Sequence, residues 1–509
     1  MKKKILPVLL GLTVLIAGIL AAVFLFKSSN DNYLNAIPAD AKLVTGIDVA
    51  NLFDKSGIDD MNLTDKLKNA LGGSVSEEEL NDATDYLDSP QKIGIDFRSK
   101  VYLFSTPDNS FCLVAKVTDK DKVNEFMTKM AKNGVSEKPT EKDGIYWTKL
   151  FGELPTAFNS QTLLVMMPTD GFYNPNDAIT KMLQQDKKDS YISTDQGEKL
   201  IKTEGDITMS ASLSALPQNI LGAYAQIIPQ EVRLSEVDVN ASLEFLNGKL
   251  VLKSGLSTQN KKLKALLEQI NANTKKISGL YVKKSQENVV FWSSAGVNGE
   301  WLLEEMKKND ELKQILFMVE RAIDIEKMIK SIDGDLMVSI TDINSSTFDI
   351  PYIVAAQTKN QDFLNDVDYW ISSMRESGLS MTPSGDNMYK LTADDQTFYW
   401  GTRPDELYIT STPSLVQSTL SGTGASKLKD MEDEICDSRL FVYINLQQLA
   451  NASQETAGIP YYSTLAQAFE GITFKLTEAE NMEVAVQMTN KDVNVLKFII
   501  DNLVDSFLQ

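Results

Sequence analysis

Ser89-Pro90-Gln91-Lys92 and Ser426-Lys427-Leu428-Lys429 both fit S-x-x-K. That spacing sets a lysine one helical turn from a serine, where it can take the hydroxyl proton. Pro90 interrupts the first pair, and neither has a Lys-Thr-Gly or Ser-Asp-Asn companion. So short a pattern recurs by chance in a chain rich in serine and lysine, and it assigns no catalytic residue. Gly422-Thr423-Gly424 with Lys427 lacks the Walker spacing of a phosphate loop and reads as a linker. Asp59-Asp60, Asp119 with Asp121, and Asp394-Asp395 carry the oxygen donors calcium prefers. None fits an EF-hand loop, and turns use the same acids. A carboxylate pair for glycoside hydrolysis is defined by its separation in the fold, so 70 acids do not reveal one.

The chain has no histidine, which removes Ser-His-Asp and Cys-His constellations and HExxH zinc sites. Its two cysteines, Cys112 and Cys436, lie far apart with no CxxC spacing, so a disulfide framework and a thiolate metal knuckle are both excluded. Cys112 lies in the apolar run Phe111-Cys112-Leu113-Val114 and reads as a small buried hydrophobe. No catalytic residue, cofactor or metal site is expected.

With 43% apolar and 24% charged residues, the 509-residue chain is globular and long enough for two or three domains. Its formal net charge is −20, and the basic residues Lys2, Lys3, Lys4 and Lys27 all flank one apolar run. The remainder is more acidic still. Such a surface repels phosphate backbones, so nucleic acid is not an expected partner.

The run between those lysines, residues 5–26, makes a helix of about 33 Å, against a hydrocarbon core of about 30 Å. It has no small-x-small cleavage site, and the first cysteine of the chain is Cys112, so no lipoprotein signal follows it. An uncleaved signal anchor is expected, with residues 1–4 in the cytoplasm, a tether over 27–36 and everything beyond outside the cytoplasm.

Self-comparison shows a repeat. Gly134-Val135-Ser136, Pro139-Thr140, Asp143 and Tyr146 match Gly378-Leu379-Ser380, Pro383-Ser384, Asp386 and Tyr389 at offsets of 243–244. Residues 263–270 (LKALLEQI) match 496–503 (LKFIIDNL) at an offset of 233. Alternating runs lead into helical runs near residues 112, 249, 352 and 483, and further strands are predicted at 43–49, 207–213 and 440–446. The expected fold class is α+β. Two tandem related copies, 37–275 and 286–509, are joined by a linker over 276–285 and follow one transmembrane helix. Each copy is a mainly antiparallel sheet with helices on one face. Phe158 and Phe398, Tyr146 and Tyr389, and Leu267 and Ile500 should be equivalent.

The block Ile37-Pro38-Ala39-Asp40-Ala41, then Ile47-Asp48-Val49, Leu52 and Lys55-Ser56-Gly57, resembles the start of a family of extracytoplasmic proteins from Bacteroides-type bacteria, a domain of unknown function. The resemblance implies a membrane-anchored or lipidated protein facing the periplasm or cell surface. It brings no site residues with it, and this chain lacks the anchor cysteine of lipidated members.

Two functional readings follow. One is a non-enzymatic ectodomain that binds an envelope protein or a glycan. The other is an envelope hydrolase using carboxylates or a Ser-Lys pair. A single partner contact is suggested by sequence. Thr397-Phe398-Tyr399-Trp400 and Leu407-Tyr408-Ile409 flank a loop over 401–406 and read as a hairpin. Symmetric pairing sets Tyr399 opposite Tyr408 on one face, with Phe398, Trp400, Leu407 and Ile409 on the other. The tyrosine pair is the candidate contact.

Overall fold

Asp48 ends one element and starts the next. β1 (Leu43–Ile47) alternates half-buried and buried side chains. Asp48 then caps α1 (Val49–Ser56) by accepting from Asn51 N at 3.0 Å, and Gly57 ends the helix at φ 64°. The same logic recurs after β2 (Val101–Ser105) and β3 (Phe111–Lys116), where Asp119 caps α2 (Lys120–Lys132). Val123, Phe126, Met127 and Met130 lie at helical spacing and are buried. Each contributes about 1.5–3 kcal/mol by leaving water.

The computed structural model describes residues 31–57, 86, 90–169, 174–217, 228–284, 289–320, 323–343, 350–376, 380–393, 396–421, 427–453 and 467–508. The expected membrane segment, 5–26, lies outside them. Among the described residues, no helix is long and apolar enough to cross a membrane. The fold is α+β, with 13 α-helices and 21 strands among these residues. The chain divides into two compact units, Met1–Asn260 with Lys491–Gln509, and Lys261–Asn490.

The first unit continues with β4 (Thr140–Lys142), β5 (Ile145–Leu150), β6 (Leu154–Phe158), β7 (Thr162–Met167), α3 (Pro175–Gln184), α4 (Asp195–Lys202), β8 (Ile207–Ser212), β9 (Val237–Leu246) and β10 (Lys249–Thr258). Every pairing is antiparallel, in the order β10-β9-β8-β1-β2-β3-β7-β6-β5-β4. Both faces of this sheet are covered. Val44, Phe104, Cys112 and Met166 pack under α3, α4 and a 3-10 turn at Asn32–Ala36. Val101, Ala115, Val117 and Leu163 pack under α1 and α2.

The second unit holds α5 (Lys261–Asn273), β11 (Thr274–Lys275), β12 (Phe291–Asn298), α6 (Gly299–Lys308), α7 (Asp310–Glu320), α8 (Ile325–Lys330), β13 (Ile332–Ile340), β14 (Tyr352–Thr358) and α9 (Val367–Glu376). It continues with β15 (Ser380–Gly385), β16 (Met388–Ala393), β17 (Gln396–Arg403), β18 (Glu406–Thr410), α10 (Pro413–Leu420), α11 (Glu432–Cys436), β19 (Leu440–Asn445), α12 (Leu446–Ser453), β20 (Phe469–Glu478) and β21 (Asn481–Met488). The last helix, α13 (Val495–Leu508), returns to the first unit. The strand order is β21-β20-β19-β12-β13-β14-β18-β17-β16-β15, again antiparallel throughout. Numbered from its own first long strand, each unit has the same order. Trp292, Met337, Ile353 and Tyr408 pack under α10 and α11, while Trp400 and Leu407 pack under α7, α8 and α9.

Helices therefore cover both sheet faces, not one. The central strands carry the reason: Val101–Ser105 is buried at four of its five positions, which alternation with one wet face does not allow. The four strand-to-helix passages expected near residues 112, 249, 352 and 483 are present as β3–α2, β10–α5, β14–α9 and β21–α13.

Candidate functional site

The hairpin of Tyr399 and Tyr408 is present, but two residues out of the expected register. Its turn is the two-residue Pro404-Asp405, with Asp405 at φ 58°, so Arg403 faces Glu406, Trp400 faces Ile409 and Tyr399 faces Thr410. A shift of two preserves which face each side chain takes. Phe398, Trp400, Leu407 and Ile409 do share one face, in the core beneath α9. Tyr408 lies on the other face but is only 3% exposed, in the opposite core beside Trp292 and Phe441. It lies over Gly401, where even a Cβ would meet its hydroxyl at 2.5 Å. Tyr408 thus offers a partner no surface. Tyr399 is half-buried and is not its cross-strand neighbour. The longer β17 also moves an equivalence. Tyr146 stacks on Phe158 at 5.0 Å, whereas Tyr389 stacks on Trp400 at 4.8 Å, so Trp400, not Phe398, takes the place of Phe158.

Few of the other candidate groups are left available for chemistry. Asp119 accepts from Asp121 N and Lys122 N, which is helix capping. Lys427 pairs with Glu470 at 2.7 Å. Ser89, Ser426, Asp59, Asp60, Asp394, Asp395 and the 422–424 glycine stretch lie outside the described residues. Among the described residues, no group of three His, Cys, Asp or Glu side chains is placed to hold a metal ion. Cys112 and Cys436 are free thiols, and burial pushes that of Cys112 up to about 12.

Asp48 and Lys55 meet at a charge cluster that sequence alone did not flag. Asp206, fully buried ahead of β8, receives Lys55 Nζ on both carboxylate oxygens, at 2.7 and 2.8 Å. It also accepts from Asn51 Nδ2 at 2.5 Å and Phe245 N at 2.6 Å. Its own carbonyl accepts from Asp48 N at 2.8 Å. Lys100 lies nearby; burial lowers its ammonium below the usual lysine range, against the opposing pull of Asp48, Asp206 and Glu204. All the acceptor capacity of Asp206 is used inside the fold, so the cluster fastens β1 and α1 to β8 and β9. A buried carboxylate without those three donors would be strongly unfavourable. The family-like block is therefore a folding device at its Asp48 and Lys55 end.

At its other end the block reaches a concavity. Pro38, Ala39 and Asp40, with Asp108, Lys181 and Gln184, line an open cleft of about 940 Å³ in the first unit. Gln185, on the same wall, donates to Ile37 O at 3.0 Å and fixes the block to α3. The cleft is lined by carboxylates, ammonium groups, two amides, a hydroxyl and the apolar residues Pro38, Ala39, Pro107, Ala178 and Met182. A second, smaller concavity of about 520 Å³ in the second unit is lined wholly by polar side chains, including Glu300, Glu326, Lys330 and Lys359. Some of its charges are paired with one another: Lys359 with Glu300 at 2.9 Å and Lys330 with Glu326 at 3.4 Å.

The chain belongs to the family described as a domain of unknown function, DUF4836, whose model matches residues 33–487. No curated protein matches the chain in sequence. Among solved structures it is similar to three crystal forms of TP0453, at 10–11% identity and TM-scores of 0.27–0.28. The matches cover 44–49% of this chain and 79–89% of those chains. At TM-scores this low the likeness carries no argument about fold or function.

Proposed function

We propose that the chain is a membrane-tethered, non-enzymatic ectodomain that binds a polar envelope ligand in the cleft of its first unit. Residues 5–26 are the anchor, residues 1–4 stay in the cytoplasm, and the ectodomain faces the periplasm of a Bacteroides-type bacterium. The two copies arose by duplication; the shared strand order and the shared Tyr-aromatic stack support that reading. The observation that carries the binding reading is the cleft of about 940 Å³, because residues of the family-like block build its rim. That size accommodates a drug-sized ligand or a short oligosaccharide. Carboxylates accept from hydroxyl groups and ammonium groups donate to them, so a hydroxyl-rich glycan is the ligand class that fits.

Binding of purified full-length protein to a glycan array, followed by calorimetry on the best glycan, tests this. Asp40→Ala and Lys181→Ala, both at exposed positions, should each weaken binding about tenfold without lowering the melting temperature. Unchanged affinity in both variants sinks the cleft as the site. Release of shorter sugars would instead favour the hydrolase, and capture of one protein from crosslinked envelope with no glycan signal would favour a protein partner.

A further inference from the structure

By sequence, α5 ends the first copy and α13 ends the second, since residues 263–270 match 496–503. By packing, each belongs to the other unit. In the first unit, the β9–β10 hairpin turns at Asn247-Gly248. Gly248 N donates to Val493 O at 2.9 Å, and Asn494 Nδ2 donates to Phe245 O at 3.0 Å. Val495 follows at 1% exposure, and α13 packs along α1 and β9. At Gly57 even a Cβ would come within 2.8 Å of the Lys497 side chain. In the second unit, the equivalent β20–β21 hairpin turns at Ala479-Glu480. Asn271 of α5 accepts from Ala479 N at 2.8 Å and donates to Glu480 Oε2 at 2.9 Å. Arg439 Nη1 donates to Asn271 O at 2.8 Å.

We propose that the two copies exchange their terminal helices, so that the hairpin tip of each unit is an acceptor surface for a helix encoded by the other copy. The partner that the first unit's surface fits is an amphipathic helix led in by Val-Asn, and the chain's own C-terminus supplies it. Each copy is then incomplete alone, as in a domain-swapped dimer, but here the exchange is within one chain. The second copy's last residues stabilise the first unit and leave its own sheet independent of them. The word exchange rests on the duplication proposed above; the experiment that follows tests only where each helix docks, so the two ideas fail separately.

Hydrogen exchange with mass spectrometry on the full chain in detergent decides it. Val495→Asp should speed exchange in β8, β9 and β10 at least tenfold while β19, β20 and β21 change less than twofold. Asn494→Ala, which removes two hydrogen bonds, to Phe245 O and from Leu496 N, and no core side chain, should give the same pattern more weakly, should the aspartate variant not fold. Asn271→Ala should do the reverse, loosening β20 and β21 alone. The two native thiols give a second readout: Val495→Asp should accelerate alkylation of buried Cys112 and leave Cys436 unchanged. Loosening of β20 and β21 by Val495→Asp, or equal loosening of both units, overturns the proposal.

Discussion

Asp206 and Arg439 occupy the same place in the two units and carry opposite charges. Each directly precedes the strand paired with its unit's first long strand, β8 or β19. The backbone bonds are the same. Asp206 N donates to Leu243 O at 3.0 Å and Arg439 N to Leu476 O at 2.8 Å. Asp48 N donates to Asp206 O and Gly296 N to Arg439 O. What differs is the surroundings. Around Asp206 the free groups are donors: Lys55 Nζ, Asn51 Nδ2 and Phe245 N. Around Arg439 they are acceptors: Thr477 O at 3.1 Å from Nε, Asn271 O and Thr274 O. A carboxylate only accepts and a guanidinium only donates, so the sign of the charge follows from what ends there. The sheet fixes the position, and the neighbouring helix terminus fixes the residue type. In the first unit that is α1, which offers Asn51 from its first turn and Lys55 from its last, and in the second it is the end of α5 with its free carbonyls.

Removing the acid is the strongest way to break that comparison. Asp206→Ala leaves Phe245 N and Asn51 without their acceptor and Lys55 without its partner. Unfolding of the first unit should become easier by about 3–5 kcal/mol, the cost of breaking a buried ion pair from one side. Chemical denaturation followed by Trp147, the first unit's tryptophan, measures it. A change below about 1 kcal/mol would mean the cluster is not what fastens α1.

Next is the pair that the hairpin register separates. Tyr408→Ala removes a core ring and should cost about 3 kcal/mol, whereas Tyr399→Ala, half-buried at the sheet, should cost under about 1 kcal/mol. Equal, small losses would restore the exposed tyrosine pair. The smallest effect expected within the comparison itself is at Arg439. Arg439→Ala loses charge-assisted bonds to carbonyls that can partly turn to water, costing about 1.5–3 kcal/mol and confined to α5 and the β20–β21 hairpin. Loss of the first unit's structure in this variant would contradict the division into two units.

The sequence by itself determined what depends on local order. Alternation placed β3, β8, β14 and β19, and the change to helical spacing after β3 placed α2. The faces of Phe398, Tyr399, Trp400, Leu407, Tyr408 and Ile409 were legible even with the register wrong, because side chains repeat every two residues and the slip was two. Membership of a family of unknown function was legible too, from about twenty residues between Ile37 and Gly57. Tertiary structure alone decided the rest. Tyr408 is buried because helices cover both faces, which a strand's own residues do not state. Asp206 pairs with a lysine 151 positions away, and no periodicity encodes so distant a partner. The unit that each terminal helix completes was settled in the same way. The amphipathic pattern of α5 and α13 says that one side must be buried, and only packing chooses against what.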